Sequence, residues 1–125
     1  ASLDHRLKAI APSAPFLNDY KDYFALAHWP AEPILRAADE KGISEEELYR
    51  TLSYFDVKNF TDKIECPVIM AIGLQDPVCP PHTNFAGYNH IRTEKSWICY
   101  PAAGHNVWEQ KGWPEEKSRF FERFM

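Results

Sequence analysis

The sequence has no apolar run long enough to cross a membrane, and its N-terminus lacks the pattern of a secretory signal. A membrane partner is therefore not expected. There is no stripe of lysine and arginine to mark a nucleic-acid surface. No block of like charge marks a solvated tail: the net charge is −4, with acids and bases mixed along the chain. Internal repeats and low-complexity tracts are also missing. The three cysteines, Cys66, Cys79 and Cys99, are odd in number and have no metal-like spacing, so neither a disulfide framework nor a bound metal is expected. Cys66 and Cys99 lie in or beside apolar stretches and read as buried free thiols. Cys79 lacks the helix N-terminus or adjacent base that would make it a nucleophile. Such cysteine usage fits a reducing, cytoplasmic setting; a periplasmic or secreted one stays open, because a removed leader leaves no trace.

What is there suits a core. The 125 residues are 45% hydrophobic and 14% aromatic, enough for at most one domain. The most informative stretch starts at Pro67-Val68-Ile69-Met70-Ala71-Ile72, an apolar run that reads as a fully buried strand. It stops at Gly73; Asp76 comes three residues later, and Pro80-Pro81 forbids further ladder bonding. Downstream, Trp97-Ile98-Cys99-Tyr100 reads as another strand, with Gly104-His105 shortly after it. Open α/β sheets build their sites just past the ends of such strands. The order strand–acid, helix, strand–histidine is the back half of a Ser…Asp…His arrangement, with His105 29 positions after Asp76.

Helical patterns separate the apolar runs. The segment from Asn18 to Trp29 carries Tyr20, Tyr23, Phe24 and Ala27 on one face, with Asn18 or Asp19 as cap. Pro30 and Pro33 break the chain, and a short helix runs from Ile34 to Lys41, ended by Gly42. Ser44 with Glu47 forms a capping box for the next helix, through Leu48 and Leu52. This block is longer than an ordinary crossover and reads as an insertion over the sheet edge. His82–His90 and a segment opening at Pro114, with Phe120, Phe121 and Phe124 on its apolar face, complete the helices. Ala1–Asp4 reads as the end of a helix, and Leu7–Ala11 as a strand stopped by Pro12. The pattern predicts an α/β fold with a parallel sheet in which Leu7–Ala11, Pro67–Ile72 and Trp97–Tyr100 are neighbours.

A serine hydrolase needs an imidazole to take the nucleophile's proton and an acid to fix the imidazole's tautomer. Asp76 and His105 suit those roles. On spacing alone the plainer reading is favoured, in which Asp76 caps the helix near Pro81 and His105 is a loop histidine. His5, His28, His82 and His90 read as surface or packing residues, and Asp56 and Asp62 as turn or cap residues. The nucleophile is not evident: none of Ser2, Ser13, Ser44, Ser53, Ser96 and Ser118 lies in G-x-S-x-G.

Several runs together make a family likeness. They are Tyr54-Phe55-Asp56-Val57-Lys58-Asn59-Phe60, Ile64-Glu65-Cys66-Pro67-Val68, Gly73-Leu74-Gln75-Asp76, Pro80-Pro81, Phe85-Ala86-Gly87-Tyr88-Asn89 and Gly104-His105. With them the chain resembles the C-terminal part of acetyl xylan esterases and cephalosporin-C deacetylases, the seventh family of carbohydrate esterases in the α/β-hydrolase fold. Leu3-Asp4-His5-Arg6-Leu7-Lys8-Ala9 and Pro15-Phe16-Leu17 extend the likeness over nearly the whole chain, most specifically around Asp76 and Asn89. The resemblance implies that residues 1–125 are the C-terminal part of such a domain, with Asp76 as triad acid and His105 as base. It places the serine, in a Gly-x-Ser-Gln-Gly elbow, and the oxyanion donors on an N-terminal segment before Ala1. It further implies deacetylation of small acetylated sugars or xylan fragments without metal or organic cofactor, and a homo-oligomer. A non-catalytic half-domain or interaction module, or another esterase or peptidase of the same fold, are the alternative readings.

Overall fold

The computed structural model describes residues 1–124. Two parallel strands, β1 (Val68–Gly73) and β2 (Lys95–Tyr100), pair in register from Val68 opposite Lys95 to Gly73 opposite Tyr100. β1 is buried along its whole length, as its uninterrupted apolar run requires. β2 is only partly buried.

The expected third strand pairs with β1 on the edge opposite β2, but a few residues later and less regularly than the sequence suggests. The contacts are two isolated parallel bridges, Ile10 with Val68 and Ser13 with Ala71. Ile10 donates to the Pro67 carbonyl, Ile69 to Ile10, Ala71 to Pro12 and Ala14 to Ala71. The missing rung is the one Pro12 cannot supply, because it has no N–H. Ala14 then turns into the left-handed region at φ 46°, which ends the extended run.

Helices follow the sequence pattern with shifted ends. They are α1 (Tyr20–Leu26), α2 (Ala31–Glu40), α3 (Glu45–Leu52), α4 (Pro81–His90) and α5 (Trp113–Glu122). Helix α2 starts earlier than expected: Pro33 falls in its first turn, where no N–H is needed. It ends in a Schellman arrangement, with Gly42 at φ 64° donating to Asp39 and Ile43 donating to Ala38. The Glu47 N–H reaches the Ser44 hydroxyl at 3.2 Å, as the capping box predicts. Neither Asn18 nor Asp19 caps α1 with its side chain. The buried Asp56 carboxylate does so, accepting from the Asp19 and Tyr20 amides at 2.9 and 3.0 Å. Asp56 is thus a cap residue, as expected: it caps the local turn Val57–Asn59 through the Lys58 amide at 2.9 Å and also a helix 36 residues away. Ala1–Asp4 is not helical: the Asp4 carboxylate accepts from the Arg6 amide and guanidinium, a local turn that competes with helix.

Alternation along β1 divides the core. Ile69 and Ala71 pack with Val107, Trp113 and Phe120 under α5. Val68, Met70 and Ile72 pack with Tyr88 of α4 and Ile91 just past its end. On that second face an apolar cleft of about 210 Å³ remains, walled in part by Ile10, Pro12, Val68, Met70 and Tyr88. The aromatic faces of α1 and α3 form a third cluster around Tyr23 and Phe24.

Candidate active site

Asp76 and His105 meet where β1 and β2 end. Because the strands are parallel and in register, the loops after them leave from the same edge, and they are tied together there. The Leu74 amide donates to Tyr100 and the Gln75 amide to Ala103. Gly73 is what lets them approach. A Cβ there would collide with the Gly104 carbonyl oxygen and sit 2.6 Å from that of Ala103, closer than real contacts allow.

The Asp76 side chain is fully buried. Its Oδ1 accepts from the Val78 and Cys79 amides, both at 2.8 Å, and its Oδ2 lies 3.0 Å from His105 Nδ1. These bonds stay within the loop; Asp76 does not cap α4, whose first amides donate to the Pro80 carbonyl instead. An ionised carboxylate only accepts, so His105 Nδ1 carries the proton and neutral His105 presents Nε2 as the basic nitrogen. Among the described residues Nε2 has no hydrogen-bond partner. The His105 side chain is 40% exposed and opens onto a shallow cleft of about 270 Å³ that Ser13 also borders.

The surrounding shell fixes the acid. The buried Tyr23 hydroxyl bridges the Val78 and Trp29 carbonyls at 2.9 and 2.8 Å. Burial pushes its phenol up to about 12. Asn84 holds the Cys79 carbonyl at 2.9 Å. Burial, with the Asp76 carboxylate beside it, pushes the Cys79 thiol up to about 12, so Cys79 is inert as a nucleophile at neutral pH. Asp76, Cys79 and His105 offer ligand atoms within 4.8 Å of one another. The chemistry does not suit a cation: the thiol resists ionisation, and both carboxylate oxygens already accept hydrogen bonds.

The other candidate residues lie elsewhere. His5 pairs with Glu65, His28 with Glu32 and His82 with Asp22, all exposed; His90 is exposed on α4. Asp62 stands 4.0 Å from Arg92. Ser13 borders the cleft but sits in the extended segment paired with Ala71, not at a strand-to-helix turn, and makes no hydrogen bond to His105. Sequence reading missed Trp108, whose ring stands edge-on to His105 at 5.2 Å and 90°. Its spacing of one tight turn from His105 was the available signal.

Residues 1–123 match the family model described as Acetyl xylan esterase (AXE1). The chain belongs to the acetyl xylan esterase family. It is 38% identical to the acetyl xylan esterase of Paenibacillus sp. R4, with a TM-score of 0.89, covering 100% of this chain and 40% of that one. Acetyl Xylan Esterase 1 from Thermoanaerobacterium sp. is 34% identical at TM-score 0.88, covering 98% and 40%. The acetyl esterase Axe7A of Xylanibacter ruminicola is 32% identical over 105 residues, 84% of this chain and 23% of that protein. The chain thus spans well under half of each of these relatives, and its α/β architecture is that of the α/β-hydrolase acetyl xylan esterases.

Proposed function

We propose that this chain is the acid- and base-bearing part of a serine esterase that removes acetyl groups from acetylated sugars or xylan fragments. The observation that carries the reading is the 3.0 Å contact between His105 Nδ1 and the buried Asp76 carboxylate, at the sheet edge of an acetyl xylan esterase family member. The nucleophilic serine and the oxyanion donors come from chain outside these 125 residues. That fits a span of 40% of the solved relatives and the lack of a serine elbow in the sequence. No cofactor is called for.

Each residue has one task. His105 Nε2 takes the proton from the serine as its oxygen attacks the acetyl carbonyl carbon, forming a tetrahedral oxyanion. The same nitrogen returns that proton to the departing sugar oxygen, leaving an acetyl-enzyme. Water then attacks, losing its proton to Nε2. The tetrahedral species collapses, Nε2 returns its proton to the serine oxygen, and acetic acid departs and ionises in solvent. Asp76 accepts the Nδ1 proton's hydrogen bond throughout, holding the tautomer and stabilising the imidazolium. Family likeness also motivates a homo-oligomer as the working form, and the cysteine usage a cytoplasmic setting.

Steady-state hydrolysis of an acetyl ester tests this. The full-length protein should turn over, the isolated 125 residues should not exceed the buffer control, and folded full-length His105→Ala should lose on the order of ten-thousandfold or more, at least as much as Asp76→Asn. Near-full activity of that variant would defeat the assignment and favour a non-catalytic module. Abolition of turnover by Ser13→Ala would move the nucleophile into this chain.

A further inference from the structure

The cleft beside His105 has aromatic walls. Trp29 is 66% exposed and Trp108 47% exposed. A single exposed tryptophan is ordinary, but two bordering one small cleft with the imidazole are not accounted for by packing. Both are held from behind. The Trp29 ring lies nearly parallel to Phe16, 6.0 Å and 14° apart, and Phe16 stands edge-on to the buried Tyr23 at 5.7 Å. Trp108 rides on the tight turn Val107–Glu109, anchored by the fully buried Val107.

The cleft also lacks charge. Besides His105 its walls are Ser13, Phe16, Trp29, Val78 and Trp108, with the small Ala14. Among the described residues nothing there would neutralise a phosphate or carboxylate on the leaving group, nor attract a cation beyond the ring faces. Flat indoles with a small polar rim suit a ligand that is apolar on its faces and hydroxylated at its edge. That describes a pyranose ring.

Resting on the esterase reading above, we propose that Trp29 and Trp108 form the subsite for the sugar ring that carries the acetyl ester, and so determine specificity for sugar esters over simple alkyl esters. Phe16 backs the platform. Placed next to Nε2, a ring seated there sets its ester oxygen where His105 must deliver a proton.

The test uses the full-length protein with xylose tetraacetate and ethyl acetate as paired substrates. Trp29→Ala and Trp108→Ala should each lower kcat/KM for the sugar ester relative to ethyl acetate by about tenfold, mainly through KM. The Phe variants should keep most of the preference. A ratio unchanged within about twofold overturns the proposal. So does an equal fall in kcat for both esters in Trp108→Ala, which would make that ring a positioning residue for His105. Calorimetric titration with unacetylated xylobiose separates this from the esterase reading. Saturable binding, lost in the folded Trp29→Ala/Trp108→Ala double variant, supports the subsite even if neither ester is hydrolysed. Absence of binding to a folded wild-type protein overturns it even if both are.

Discussion

The two loops that carry the pair are built differently: Asp76 is sealed, with no side-chain exposure and three polar partners, whereas His105 is 40% exposed and held through Asp76 and the edge of Trp108. Behind the acid stand Cys79, Asn84 and Tyr23, all essentially buried. Behind the base stands a short turn on Val107. Under the proposed esterase function, the difference is a division of labour. A group that only orients another can be buried, because its hydrogen bonds are permanent. One that exchanges protons with a substrate must stay accessible.

That contrast can be broken most sharply at the acid. In the full-length protein Asp76→Asn should reduce turnover by about ten-thousandfold with the fold intact. The amide oxygen can still accept from Val78 and Cys79, but its NH2 faces Nδ1 and forces the wrong tautomer. Next in size is the junction between the loops. Gly73→Ala should cost about 2–4 kcal/mol in denaturant unfolding, since the methyl meets two backbone carbonyls that cannot yield.

The acid's shell predicts alkaline lability. Cys79 rises from an ordinary 9.0, and Tyr23 from 10.0, to about 12 in the fold. Folded values above unfolded ones mean that their contribution is whole below pH 9 and is lost as pH climbs toward 12. Melting temperature should therefore fall over that window, by up to about 1.4 kcal/mol of stability per pH unit per group. Tyr23→Phe should cost about 1 kcal/mol at neutral pH by removing the single O–H that the Val78 and Trp29 carbonyls share, and should flatten the fall above pH 10. The smallest effect is expected at the exposed His82, bonded to Asp22 at 2.6 Å. Its alanine variant should change stability by less than about 1 kcal/mol and turnover only slightly.

Legibility in the sequence tracked the same divide. β1 was readable because a strand buried on both faces is an unbroken apolar run, and Asp76 because a glycine and two prolines punctuate the loop after that strand. The Ser44 capping box was legible because its partners are three residues apart. Contacts made across the chain were not. Asp56 capping α1, Tyr23 bracing Val78 and Trp29 stacking on Phe16 join residues that sequence spacing cannot pair. The ragged third strand was misplaced because Pro12 breaks its ladder without ending it. The serine partner was not legible because no elbow motif is present.

The claim that the sealed acid acts through the accessible base is tested most directly by a double-mutant cycle on kcat/KM in the full-length protein. The variants are Asp76→Asn, His105→Ala and the two combined, with folding verified by circular dichroism. If the residues work as one unit, the double variant should be about as impaired as His105→Ala alone. If the two losses multiply, each residue acts independently, and the role of Asp76 as the orienting partner of His105 is contradicted.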